Sequence, residues 1–153
     1  MDWINEGSVR SNLKKYLVIA ITFLLASCSQ AERDLNEAIA LSRDGLALLQ
    51  QSENPDLTEA DRVKLAAEGL AKAEAAKESY QALIAADPQR GLYHNNYAWL
   101  QMKLGDLAGA EKSFEEAGRY RDSIQPDGVL ETKLEALRQL REDQAHRLAG
   151  KTP

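Results

Sequence analysis

The chain has 153 residues, a formal net charge of −5, a mean hydropathy of −0.46 and one cysteine. That length sets one domain as the prior, and the single cysteine excludes an intramolecular disulfide or a multi-cysteine metal site. An acidic balance with no basic run argues against nucleic acid as a partner and against adhesion of the protein part to anionic lipid headgroups. Ala and Leu are abundant while Val, Ile and the aromatics are sparse, which favours helix over sheet.

The first element is an apolar run, Tyr16 to Leu25, preceded by Lys14 and Lys15 and followed by Ala26, Ser27 and Cys28. A basic flank, a short apolar stretch and small residues at the exit are the three parts of a secretory signal. As a helix the run is roughly 15 Å long, about half of a bilayer's hydrocarbon core, and so a poor permanent span. The exit sequence Leu25-Ala26-Ser27-Cys28 resembles the lipobox of bacterial lipoproteins. That resemblance implies a diacylglycerol on the Cys28 thiol, cleavage before Cys28 and acylation of the new amino terminus. Several acyl chains on one residue exceed what stable anchoring needs. It also implies that Ser29, where an inner-membrane retention signal would have Asp, sends the chain to the outer membrane, facing the periplasm. The alternative is a single-span signal anchor with a chance cysteine.

Residues 1–27 are therefore expected to be a cleaved signal peptide. The stretch before Lys14 is long for such a signal and carries Asp2 and Glu6, so a start further downstream, for example at Val9 or Leu13, is expected. Removing residues 1–27 leaves 16 basic against 22 acidic side chains, a balance of −6.

Residues 28–149 read as one helical domain, with 150–153 a frayed tail. Over 31–51, Leu35, Ala38, Ile39, Ser42, Leu46 and Leu49 fall on one helical face. Ser52-Glu53-Asn54-Pro55-Asp56 breaks that helix, and Thr58 with Asp61 resembles a capping box for the next. The following stripe holds Val63, Ala66, Ala67, Leu70, Ala73, Ala76, Tyr80, Leu83 and Ile84 and stops at Asp87-Pro88, with Gly69 a possible break into two helices. Leu92–Leu104 and Leu107–Tyr120 flank a Gly105-Asp106 turn. Beyond a polar stretch at 123–128, Leu130, Leu134, Leu137 and Arg141 mark a last helix.

Within 94–120, Ala98, the Gly105-Asp106 turn, Ala110, Phe114 and Ala117 stand at the spacing of two antiparallel helices with small residues at their crossing and an aromatic knob between them. This resembles a tetratricopeptide repeat. Ala76, Tyr80 and Pro88 keep the spacing of the second half of another, and Ala76 precedes Ala110 by one 34-residue period. The sequence departs from the family pattern at His94, where Trp is expected, at Gln101, where Tyr is expected, and at Asp122, where a closing Pro is expected. The expected fold is all-α: a short antiparallel helix-pair stack of about one and a half repeats, capped by the helices at 31–51 and 128–148. A simple helical bundle is the alternative.

Chemistry-bearing motifs are few. His94 and His146 lie on different predicted helices and read as surface residues. Glu142 and Asp143, one turn before His146, do not by themselves make a zinc site, which wants at least three protein ligands. No nucleophile elbow and no glycine-rich phosphate loop is present. Glu115-Glu116 and Glu142-Asp143 read as solvated helix faces, and neither an enzyme nor a bound metal or cofactor, beyond the lipid on Cys28, is expected.

In the tetratricopeptide family the first helix of each pair lines a concave groove. The resemblance accordingly places Asn95, Asn96, Trp99, Met102 and Lys103 on a partner-binding face: Asn for a peptide backbone, Trp and Met for apolar contact, Lys103 for a carboxylate. For Trp99 and Met102, packing against a neighbouring helix is the competing reading. The expectation is a membrane-anchored lipoprotein that binds another protein in the cell envelope. The alternative is a structural subunit of an envelope-spanning secretion or pilus-type assembly.

Overall fold

A computed structural model describes residues 6–120 and 129–149 of the chain, all but the connecting turns helical. The helices are α1 (Glu6–Ser52), α2 (Glu59–Ala86), α3 (Gly91–Lys103), α4 (Leu107–Arg119) and α5 (Val129–Ala149). The chain divides into two compact units, residues 1–34 and 35–153. In the first, the backbone is helical from Glu6 onward, so the 16–25 run and Cys28 lie in α1, while their side chains fall outside the described residues. The expected tail at 150–153 and the polar stretch at 123–128 fall outside them as well.

In the second unit the end of α1, α2, α3 and α4 are antiparallel neighbours joined by short turns, and α5 packs against α4. Asn54 opens the α1–α2 connection, its side-chain oxygen accepting from the Asp56 backbone N–H at 3.0 Å. Thr58 then caps α2, accepting from the Asp61 N–H at 3.2 Å while its hydroxyl donates to the Asp61 carboxylate at 2.7 Å. The expected cap is present.

Between α3 and α4 the turn is a Schellman motif. The Gly105 N–H donates to the Met102 carbonyl at 3.1 Å and the Asp106 N–H to the Gln101 carbonyl at 2.9 Å. Gly105 has φ +84°, a left-handed conformation that costs a residue with a Cβ about 1–2 kcal/mol. Asp106 at once caps α4, accepting from the Gly109 N–H at 2.9 Å. Gln101 ties the two helices, donating to Asp106 at 3.3 Å and accepting from the Ser113 hydroxyl at 2.7 Å.

Two apolar clusters hold the unit. Leu35, Ala38, Ala73, Ala76, Tyr80, Leu83, Tyr93 and Leu100 join α1, α2 and α3. Ala98, Ala110, Phe114 and Leu137 join α3, α4 and α5, with Met102, Leu107 and Leu134 against them. The small residues expected at crossings, Ala76, Ala98, Ala110 and Ala117, are all buried, and Phe114 is fully enclosed.

Several expectations are corrected. Gly69 does not divide α2, which runs unbroken from Glu59 to Ala86. The glycine instead marks where α1 and α2 touch: a Cβ on Gly69 would lie 2.9 Å from the Gly45 carbonyl oxygen, and one on Gly45 equally close to the Gly69 carbonyl. Glycine's helix penalty, about 1 kcal/mol against alanine, is set against backbone contact that no larger residue permits. Since the buried face of α2 runs Gly69, Ala73, Ala76, Tyr80, Leu83, the expected core positions Val63, Ala67 and Leu70 fall outside it and are exposed. Ile39 on α1 is exposed for the same reason: it stands at the edge of the face defined by Leu35, Ala38 and Gly45.

Tyr80 is 2% exposed, and that burial pushes its phenol up to about 12. The unfolded chain then loses the phenolic proton first. Stability owed to Tyr80 is intact below pH 10 and disappears as pH rises to about 12, a swing of about 3 kcal/mol. Urea titrations at pH 9, 10, 11 and 12 are expected to show this loss. A Tyr80→Phe chain is expected to lack that component.

Candidate functional site

The face singled out by the sequence lies on α3, a helix of 13 residues in contact with neighbours on three sides. Tyr93, Tyr97 and Leu100 pack toward α1 and α2, and Ala98 packs toward α4. Asn95 points toward α5, its side-chain oxygen accepting from the Lys133 ammonium at 2.8 Å, and Met102 lies against the cluster of Ala98, Ala110, Phe114 and Leu137. What remains outward is Asn96, half-buried, with Trp99, 38% exposed, and Lys103, exposed.

The five residues therefore do not form one open face. Asn95 is buried and its acceptor is used within the chain, and Met102 packs against a neighbouring helix. Trp99, Asn96 and Lys103 form the accessible part.

The electrostatics of that part are set by two ammonium groups. Lys103 lies 5.8 Å and Lys133 5.7 Å from the centre of the Trp99 ring, and Lys133 also lies 5.9 Å from the Phe114 ring. Burial lowers the Lys133 pKa from its usual value. Among the described residues neither lysine has a carboxylate partner within salt-bridge distance. Locally this edge of α3 is positive in a chain that is negative as a whole. The sequence shows Lys133 only as one polar position on an amphipathic helix. Nothing in local spacing indicates that it meets Asn95, 38 positions earlier.

His94 is corrected from surface to interior. Its Nε2 lies 2.8 Å from the Pro88 carbonyl oxygen, which can only accept, so the proton sits on Nε2. Its ring stacks on Tyr120, with centroids 5.9 Å apart at 28°. One histidine thus ties the α2–α3 turn to the end of α4. Gly91, at the start of α3, lets the same end close, since a Cβ there would strike the Tyr120 carbonyl. His146 is exposed on α5 with Glu142 and Asp143. Among the described residues no three His, Cys, Asp or Glu side chains stand together as a metal would require.

No protein-family model matches the chain, and comparison with curated proteins and with solved structures finds no similar protein. Among the described residues no helix is long and apolar enough to cross a membrane.

Proposed function

We propose that this protein is a lipid-anchored adaptor of the cell envelope, held by an acylated Cys28 and presenting its stack of helix pairs to another protein. The observation that carries the reading is a coincidence in the sequence. Lys14-Lys15, a ten-residue apolar run and Leu25-Ala26-Ser27-Cys28 stand in the order a lipoprotein signal needs, and the only cysteine of the chain is the one the motif uses. A tether raises local concentration and leaves the folded part to choose the client. The surface offered for that choice is the α3 edge, where Trp99 supplies apolar area and Lys103 a charge.

In cells of its source, Cys28→Ser is expected to abolish incorporation of labelled palmitate, leave residues 1–27 uncut and shift the chain out of the lipid-anchored fraction. Palmitate labelling and the mass of the amino-terminal peptide read this directly. An unlabelled wild-type chain that stays in the membrane with residues 1–27 attached would establish a signal anchor instead. For the client, crosslinked recovery of the native protein should yield one dominant partner that is lost in Trp99→Ala, Lys103→Glu. Asn95 is left intact in that variant because it holds Lys133 and, through it, α5.

The second reading, a structural subunit of an envelope assembly, has its own support. Every residue from Arg138 to Arg147 on α5 is exposed, about three turns of helix beyond Leu137. An obligate subunit aggregates or unfolds when isolated, whereas an adaptor without its lipid is a soluble monomer.

A further inference from the structure

We infer that the α3 edge recognises its partner through a short acidic segment, whose carboxylates pair with Lys103 of α3 and Lys133 of α5 around Trp99, so that the site is complete only while α5 is docked. That the edge binds a protein rests on the adaptor reading. The chemistry of the ligand and the share of α5 in the site go beyond it.

The charge pattern carries the inference. No Asp or Glu stands between Asp87 and Asp106, so α3 has no carboxylate of its own in a chain where acidic residues outnumber basic ones. Yet one ring gathers two ammonium groups, Lys103 at 5.8 Å and Lys133 at 5.7 Å from the centre of Trp99. Each is drawn to the indole, and each repels the other. Among the described residues no carboxylate lies within salt-bridge distance of either. An anion arriving between them is attracted to both.

Lys133 is the stronger half of the pair. It is half-buried, donates to the Asn95 side-chain oxygen at 2.8 Å and lies against the Trp99 and Phe114 rings. An ammonium has three donors, so among the described residues two remain for a ligand. Partial burial has removed some of its water, which its lowered pKa reflects, and a carboxylate is held more tightly there than at an open surface. Because Lys133 belongs to α5, whose Leu137 is fully buried against the Phe114 cluster, a ligand on Lys133 also holds α5 to α3.

Two cations beside one ring suit a short dicarboxylate. In an extended segment, side chains two residues apart point the same way at roughly 7 Å, a spacing that lets neighbouring carboxylates serve both lysines. A membrane or a nucleic acid spreads its charge over a wide area and needs a basic footprint, whereas this chain has a net charge of −5.

The test is a titration of the full chain, carrying Trp3→Phe so that indole emission comes from Trp99 alone. The probe is the peptide Glu-Leu-Glu-Leu-Glu, blocked at both ends, and its control is the neutral Gln-Leu-Gln-Leu-Gln of the same shape. The Glu peptide is expected to bind at least about tenfold more tightly than the Gln peptide, and to weaken as salt rises. Lys103→Gln and Lys133→Met are each expected to cost about three- to tenfold in affinity and to flatten the salt dependence. Circular dichroism checks that Lys133→Met keeps its helices, and the exposed Lys103 carries the test if it does not. Hydrogen exchange of the α5 amides should slow with the Glu peptide and not with the Gln peptide. No binding of the Glu peptide, equal binding of the two peptides, no effect of Lys103→Gln, unchanged exchange in α5, or binding to phosphatidylglycerol vesicles in place of the peptide would each overturn the proposal. Those outcomes leave the lipid anchor and any crosslinked partner standing, while a failure to recover a partner from cells counts against the adaptor reading even where the peptide binds.

Discussion

Phe114→Ala is expected to destabilise the folded chain by about 3–5 kcal/mol, seen as a lower urea midpoint. Phe114 is fully enclosed where three helices meet: Ala98 of α3, Ala110 one turn before it on α4, and Leu137 of α5. None of the alanines can extend into the space a phenyl ring vacates, so the cavity stays open and its walls lose their dispersion contacts. The ring also faces the Lys133 ammonium at 5.9 Å, and removing it withdraws part of what offsets the desolvation of that charge. Phe114→Leu, which keeps most of the volume, is expected to cost about half as much or less. Equal losses for the two replacements would mean that the site does not depend on filled volume.

The second large effect is expected at the crossing of α1 and α2. In an exposed helix, Gly→Ala stabilises by about 1 kcal/mol. Gly69→Ala is expected to do the opposite and destabilise by about 1–3 kcal/mol. Its new methyl group would sit 2.9 Å from the Gly45 carbonyl oxygen and 3.0 Å from the Leu49 backbone nitrogen. Backbone atoms cannot swing aside as the end of a side chain can, so the helices must separate, and the burial of Leu35, Ala38 and Ala73 goes with them. Gly45→Ala is expected to behave alike, since its Cβ meets the Gly69 oxygen and the Ala73 nitrogen, both at 2.9 Å. The double variant should cost less than the sum of the two, because helices already forced apart accommodate the second methyl group freely. Strict additivity, or a gain in stability from either change, would contradict the crossing.

Much of the fold is legible in the sequence because helices announce themselves locally. The 3.6-residue period placed α2 to α5 within a residue or two, Thr58 and Asp106 carry their caps in their own side chains, and Gly105 is the residue a left-handed turn requires. Which apolar residues the fold uses is a different question, since it depends on the side from which the neighbouring helices pack. Val63 and Leu70 satisfy a helical period as well as Ala73 and Tyr80 do, yet they are exposed because they stand off the face that runs Gly69, Ala73, Ala76, Tyr80 and Leu83. Gly69 suggests a break when read alone and a contact once Gly45, 24 positions earlier, is beside it.

The candidate face was legible only in part. Trp99 and Lys103 are exposed, while Asn95 meets Lys133 of α5 and Met102 packs against the cluster around Phe114, contacts that no local pattern specifies. His94 reads as polar and therefore as surface. Its partners, a carbonyl six positions back and a ring on the next helix, make a buried position affordable.

The packing also has a kinetic meaning. Most of the contacts that hold the second unit join elements adjacent in the chain, α2 with α3, α3 with α4 and α4 with α5, so each helix finds its neighbour by closing only a short loop. Topologies of this low contact order fold on the microsecond-to-millisecond scale, far faster than all-β chains of similar size. The α3–α4 pair, with its two-sided cap at Gly105-Asp106 and its Gln101 bridge, is expected to be the hairpin that closes at least entropic cost, and substitutions there are expected to slow folding more than substitutions in α5.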